Sequence, residues 1–226
     1  MENFVDIEDV VTHDSLIFER AYSLIHDRIP FEERSDALEF VVTLDKASRR
    51  EFYPDNYHML AAKRGSEVVG TATGYYISEI NMGFINTLVV GERCTGGGIG
   101  TCLREGLIQR LEQDARDSKH KTLAGVLGEV EQSNPWLMKL ISDLKVFVPD
   151  IEYIQPPLRE KLSERILVLY VQARQPFKKI RRSRMVEVVR AIYRNIYDIE
   201  TPESNRFFQR IVGSFVNRNY ISEKKL

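Results

Sequence analysis

The sequence predicts an α/β fold, a mixed sheet layered with helices and followed by a helical C-terminal extension. Three observations carry this. Apolar residues recur at helical spacing in residues 15 to 29 and 101 to 117. Between these segments, residues 58 to 90 fall into short blocks rich in β-branched and aromatic side chains, separated by turn residues. Four glycines in the five positions 96 to 100 then lead the last block straight into a helix-like run.

Taken in order, residues 15 to 29 place Leu16, Ala21, Leu24 and Ile25 on one stripe, with Asp14 as the expected N-cap and Pro30 at the exit. A second helix is expected over residues 31 to 44, where Ala37, Leu38, Val41 and Leu44 share a face. The pattern breaks between 47 and 57. Strands are then expected at 58–63, 67–78 and 83–90, arranged as an antiparallel meander. After the glycines, Leu103, Leu107, Leu111 and Ala115 recur every four residues along a strong amphipathic helix. Residues 122 to 132 return to strand, and 133 to 144 form a short helix capped by Ser133 or Asn134 with Pro135 in its first turn. Two further strands are expected at 151–155 and 165–173.

Past residue 173 the composition shifts. Residues 174 to 184, RQPFKKIRRSR, read as a basic connector, and 183 to 197 as a helix. Thr201 and Pro202 open a last helix over 202 to 218, which carries Phe207, Ile211 and Phe215 on one face. We therefore expect one catalytic-type domain over residues 1–172 and an extension over 173–226. The extension's aromatic stripe is too apolar to stay in water, so it should dock on the same domain or on a second copy in a homodimer.

Charge excludes some classes of partner. The chain has 32 basic and 33 acidic residues and a formal net charge of −1. No global field draws it to nucleic acid, and the basic connector has only Phe177 as an aromatic neighbour. No apolar run approaches the roughly 20 residues of a membrane span. Cys94 and Cys102 have neither metal-ligand nor disulfide-framework spacing, and His13, His26, His58 and His120 lack partners at metal spacing. The acidic N-terminal stretch MENFVDIEDVV has no signal-peptide character. These readings point to the cytoplasm, with no membrane contact and no metal.

The stretch VVGERCTGGGIGTCLREGL, residues 89 to 107, admits two readings. One is a tight turn with close helix–strand packing. The other is a backbone shaped to approach a bulky anion, with amide groups and the positive helix end aimed at it. A Walker loop is excluded because no Lys-Ser or Lys-Thr follows the glycines. A dinucleotide fingerprint is disfavoured because the loop follows a meander rather than the first strand of a βαβ unit.

The element order and the segment TLVVGERCTGGGIGTCL resemble the GNAT acyltransferases, which take an acyl group from acyl-CoA. The resemblance spans about residues 14 to 172. The family's loop has Arg or Gln, two residues, then Gly-x-Gly or Gly-x-Ala. Setting Gly98-Ile99-Gly100 on that pattern puts Thr95 at the Arg or Gln position; a register beginning at Arg93 misplaces Leu103 on the helix. The resemblance implies that Thr95, Gly96, Gly97, Gly98, Ile99, Gly100 and Thr101 cradle the CoA pyrophosphate. It also implies that backbone groups of Leu88, Val89 and Val90 bond the pantetheine arm, one of these amides polarising the thioester carbonyl. Asn134 matches a family asparagine. Seven residues later the family has a thiolate-protonating tyrosine where this chain has Ile141, which leaves Tyr153 or Tyr170 as substitutes.

On the acceptor side, an amine attacks only when neutral, so a group must take its proton. Glu129 and Glu131, two apart on an expected strand, are the candidates, with Glu79 a weaker one. The expectation is an acyl-CoA-dependent N-acetyltransferase. It would transfer acetyl from acetyl-CoA, or acyl from another acyl-CoA, to an amine acceptor by direct attack in a ternary complex. The rival reading is a non-catalytic acyl-CoA-binding or sensing module, kept open by Ile141.

Overall fold

The computed structural model describes residues 5–159 and 163–225; the first four residues of the acidic N-terminal stretch lie outside the described residues. Chain contacts divide it into two compact units. The first takes the described residues up to Ser78 together with Gly83–Leu123, and the second takes Glu79–Met82 and the described residues from Ala124 onward.

In the first unit the strands β1 (Asp6–Asp9), β2 (Asn56–Arg64), β3 (Glu67–Ile77) and β4 (Met82–Val90) lie side by side in that order. β1 pairs antiparallel with β2, and β2 with β3 through the tight turn at Gly65. Helices α1 (Leu16–Arg28) and α2 (Ala37–Ser48) cover one face. Phe18, Ala21, Ile25, Phe40 and Leu44 pack there with Tyr57, Met59, Ala61, Val68 and Val89. The long helix α3 (Ile99–Asp117) covers the other face, burying Leu103, Leu107, Leu111 and Ala115 completely.

Sheet burial on both faces explains why β2 and β3 read as nearly continuous apolar runs rather than alternating ones. α3 comes close because two β3 positions have no side chain. A Cβ at Gly70 would meet Leu103 and Ile99, and one at Gly74 would meet Leu107 and the Phe84 carbonyl. Polar ties hold the far half of the helix. Arg110 grips Asp9 with two hydrogen bonds of 2.8 and 3.2 Å, and the buried Asp114 accepts from Asn56 at 2.8 Å and pairs with His58 at 2.7 Å.

The second unit is built on β5 (Gly125–Val130), β7 (Arg165–Ala173) and β6 (Tyr153–Gln155), in that spatial order and antiparallel throughout. One face carries helix α4 (Pro135–Ser142), whose Leu137 and Leu140 pack with Val130, Val168 and Tyr170. The C-terminal segment supplies helices α5 (Arg182–Asn195) and α6 (Arg206–Gly213). It contacts β6 through a 2.5 Å hydrogen bond from the Tyr193 hydroxyl to the Ile154 carbonyl, and Arg210 forms a 2.6 Å ion pair with Glu152, the residue just before β6. Phe207, Phe208, Ile211 and Phe215 are buried.

Several sequence expectations need correction. The N-cap of α1 is Ser15, whose hydroxyl accepts from the Phe18 amide, and Asp14 instead takes the Thr12 hydroxyl. Residues 31 to 44 are a 3₁₀ turn (Phe31–Glu33) followed by α2. The basic connector contains a short strand β8 (Lys179–Arg181) and the start of α5. β8 pairs with β9 (Tyr220–Ser222) near the C-terminus. The last helix divides into a 3₁₀ turn (Pro202–Ser204) and α6, because Asn205 caps a new helix by accepting from the amides of Phe207 and Phe208. β1, with sequence DIED, was not expected as a strand. An edge strand can be charged where one side is open to water, so it shows little apolar alternation.

Candidate functional site

The first part of the candidate site lies wholly within the first unit, where β4 runs into α3. β4 is buried through Ile85, then becomes partly exposed from Asn86 to Leu88. Val89 turns into the α1–α2 core. Leu88 and Val90 point the other way, and both would lie within ordinary contact distance of a Cβ placed on Gly100. The end of β4 therefore forms the floor beneath the first turn of α3.

Between them a 3₁₀ turn (Glu92–Cys94) ends at Thr95, whose hydroxyl donates to the Glu92 carbonyl at 2.9 Å. Gly96 and Gly98 both take positive φ, +81° and +79°, which strongly favours glycine. A Cβ on either would meet nothing within 4 Å. Packing does not demand these glycines. The turn conformation does, and it leaves the backbone of residues 95 to 98 exposed.

Gly98 is also the N-cap of α3, so no cap side chain competes for the helix end. The first intrahelical bond runs from the Cys102 amide to the Gly98 carbonyl at 3.0 Å. The amides of Ile99, Gly100 and Thr101 precede it and have no intrahelical acceptor. The first turn contains no acidic residue. Free donors, the positive helix end and the lack of a local carboxylate fit a diphosphate.

The second part lies within the second unit. Glu129 is on β5, paired across the ladder with Leu169 of β7. Tyr153 of β6 pairs with Leu167, so its side chain shares the face of Glu129. The Tyr153 hydroxyl donates to one Glu129 oxygen, and the Tyr197 hydroxyl donates to the other. Gln155 donates its amide N–H to the Tyr197 oxygen at 3.2 Å. Its Oε1 is buried and has no hydrogen-bond partner among the described residues.

Burial is the dominant influence on Glu129, although a strip of it remains in contact with solvent. It pushes the carboxyl up to about 7, opposed by the two phenol donors and by the positive charge of Arg165. The same burial and the adjacent carboxylate hold the Tyr153 and Tyr197 hydroxyls well above the usual phenol range, so both remain protonated donors.

The other predicted residues are placed as follows. Glu131 lies just past the end of β5, exposed, and pairs with Arg165 at 2.6 Å, so the two glutamates have different surroundings. Asn134 caps α4 by accepting from the Trp136 amide at 3.0 Å. Ile141 is on α4 against the core that holds Tyr170. Tyr170 is paired with Gly128 and projects to the face opposite Glu129. Glu79 bonds Arg194 at 3.2 Å and Asn195 at 3.0 Å on α5.

Sequence reasoning missed Tyr197. Its separation of 68 positions from Glu129 left no local spacing to read. Among the described residues there is no cluster of three or more metal-ligating side chains, and no helix long and apolar enough to cross a membrane.

A sequence model described as the acetyltransferase (GNAT) family matches residues 19–141, more than half of the chain. The chain belongs to the GNAT acetyltransferase family. The match covers β4, the glycine loop and α3 in full and extends to α4. No curated protein matches the chain by sequence.

Solved structures agree on the GNAT fold. A GNAT-family protein from Bacteroides thetaiotaomicron superposes with a TM-score of 0.64 at 15% identity, covering 86% of this chain and 99% of that one. The ribosomal-protein-S18-alanine N-acetyltransferase of Escherichia coli gives 0.54 at 16% identity, over 77% and 96%. A Salmonella typhimurium GNAT structure determined with its cofactor acetyl-CoA gives 0.51 at 15%, over 77% and 96%. At these identities the likeness establishes the fold, and GNAT membership makes acyl-CoA-dependent acetyl transfer the general chemistry of the chain.

Proposed function

We propose that this protein is an N-acetyltransferase that moves acetyl from acetyl-CoA to a primary amine by direct attack in a ternary complex. The single observation that carries the amine reading is the Glu129 carboxylate. Burial pushes its carboxyl up to about 7, and each of its oxygens accepts from a phenol. A primary alkylamine is almost wholly protonated at neutral pH, having a reference pKa of about 10.4. A carboxylate poised near 7 suits removal of that proton, directly or through one water.

The remaining roles follow from the chain's own groups. Acetyl-CoA supplies the activated acyl group as a thioester. The amides of Ile99, Gly100 and Thr101 and the turn at Gly96 to Gly98 would hold its diphosphate, with Thr95 fixing the turn. Backbone groups of Leu88, Val89 and Val90 would align the pantetheine arm and polarise the carbonyl. Asn134 would keep the start of α4 in place.

Tyr153 donates its hydrogen bond to Glu129, so its role in this reading is to orient the base rather than to protonate the thiolate. The thiolate needs little help to depart, since a thiol's reference pKa is only about 8.5. Glu131, neutralised by Arg165, would shape the charge of the acceptor entrance. Residues 1–172 would carry the transferase core, and 173–226 would complete the acceptor side.

Glu129→Gln tests this reading. Acetyl transfer to a panel of polyamines, amino sugars and peptides with a free α-amino group should fall about 100-fold or more. Acetyl-CoA binding by calorimetry should be retained. Wild-type turnover in that variant would overturn the assignment of the base.

A further inference from the structure

We propose that Tyr197, in the C-terminal extension, is a positioning residue that holds the Glu129 carboxylate in one orientation and sets the pH at which it ionises. The consequence for catalysis rests on the reading of Glu129 as the base.

The geometry around Tyr197 directs its proton to the carboxylate. A phenol has a single proton and an oxygen that can accept. Gln155 donates into that oxygen at 3.2 Å, the Tyr153 hydroxyl beside it donates its own hydrogen bond to Glu129, and the Tyr197 proton goes to the second Glu129 oxygen. The ring is fixed from its own side by an edge contact with Tyr193, centroids 5.9 Å apart at 76°. Tyr193 is itself locked by its bond to the Ile154 carbonyl and by the Phe208 ring at 5.8 Å. Tyr197 is therefore a donor on a braced support rather than a surface tyrosine that happens to lie nearby.

Glu129 meets groups from every element around it. Tyr153 of β6 and Tyr197 donate to it, Arg165 of β7 attracts its negative charge, and the Tyr193 phenol of α5 lies close enough for the carboxylate to disfavour that phenol's ionisation. Arg165 is shared with Glu131, which dilutes its effect on Glu129. The two phenols are thus the directional groups that favour the ionised carboxylate. Donors to the charged form lower a carboxyl's pKa, and burial raises it. Removing one phenol must tip that balance toward the protonated acid.

The test uses the full-length chain. The ionisation midpoint of Glu129 is read from infrared carboxylate bands, as the difference between each protein and its Glu129→Gln counterpart, which requires no acceptor. Tyr197→Phe should raise the midpoint by about 1 to 2 pH units, the size expected for losing one hydrogen bond to an ionised group. The acidic limb of kcat/KM for the amine that turns over should rise with it. Placing 3,5-difluorotyrosine at 197, a stronger donor of nearly native shape, should move the midpoint down, and this arm decides if Tyr197→Phe fails to fold.

An unchanged midpoint in a folded Tyr197→Phe protein, or no downward shift with the fluorinated residue, overturns the proposal. Failure of the base reading looks different, because turnover then survives Glu129→Gln whatever Tyr197 does to the midpoint.

Discussion

Gly128 of β5 lies directly across the ladder from Tyr170 of β7, and the phenol ring lies over its α-carbon. A methyl group at Gly128 would overlap the Tyr170 ring carbons and hydroxyl. Tyr170 is thereby laid flat against the sheet on the α4 face, facing away from Glu129. Gly128→Ala should cost about 1 to 3 kcal/mol in urea unfolding, the range for overpacking a filled interior. Tyr170→Phe should not rescue it, because ring carbons as well as the hydroxyl occupy the space. Tyr170→Leu should recover part of the loss.

The diphosphate cradle proposed at Gly96 to Thr101 gives a prediction that separates charge from backbone shape. Gly98→Asp and Gly98→Asn introduce side chains of similar size at the same positive φ, which Asn and Asp tolerate better than most residues. Only Asp puts a carboxylate at the start of α3. Acetyl-CoA affinity by calorimetry should fall at least about tenfold more in the Asp variant. Equal affinities would mean that the diphosphate is held elsewhere.

Stability should depend on pH through Glu129. Its carboxyl is raised from 4.5 to about 7, so the folded protein keeps a proton that the unfolded chain releases in between. The associated stability is full below pH 4.5 and is lost as pH rises through about 7. The full shift corresponds to about 3 kcal/mol, reduced to about 2 kcal/mol by the solvent-facing strip of the side chain. Denaturant midpoints of wild type and Glu129→Gln, measured from pH 4.5 to 8, should therefore diverge in favour of the variant. Parallel curves would refute the burial argument.

The cap at Asn205 can be tested alone. It accepts from the amides of Phe207 at 2.9 Å and Phe208 at 3.2 Å. Asn205→Ala should cost about 1 kcal/mol, as for other lost N-caps, while Asn205→Asp should be tolerated. Thermal melts of the two variants provide the comparison. A null effect in Asn205→Ala would show that Phe207 and Phe208 are held by packing alone.

What the sequence made legible follows from how local each signal is. The four-residue spacing of Leu103, Leu107, Leu111 and Ala115 reports one buried helix face, and all four are fully buried. The glycines at 96 and 98 announced a special backbone, which the positive φ angles supply. Glu129 and Tyr153 could be named individually because a charged or phenolic residue on a predicted strand stands out from its neighbours.

Their hydrogen bond could not be read, because it depends on the β5–β7–β6 order, which brings together residues 24 positions apart. Tyr197 was hidden by the same cause at greater range. β8 was hidden because Lys179 and Arg181 have no strand propensity of their own. They pair only where β9 arrives, with Lys179 seated over the Tyr220 ring at 4.8 Å. Asp14 and Ser15 are adjacent, equally good caps, and only the backbone decides between them.

The division of the chain into two units also has a bearing on its synthesis. Apart from the four residues Glu79–Met82, the described residues through Leu123 belong to the first unit. The glycine turn and the helix behind it are therefore translated before any of the strand that bears Glu129, and Tyr197 follows Glu129 only 68 positions later. A nascent chain stalled beyond Leu123 would already contain the backbone proposed to dock the cofactor, while the carboxylate proposed as proton acceptor was still unmade.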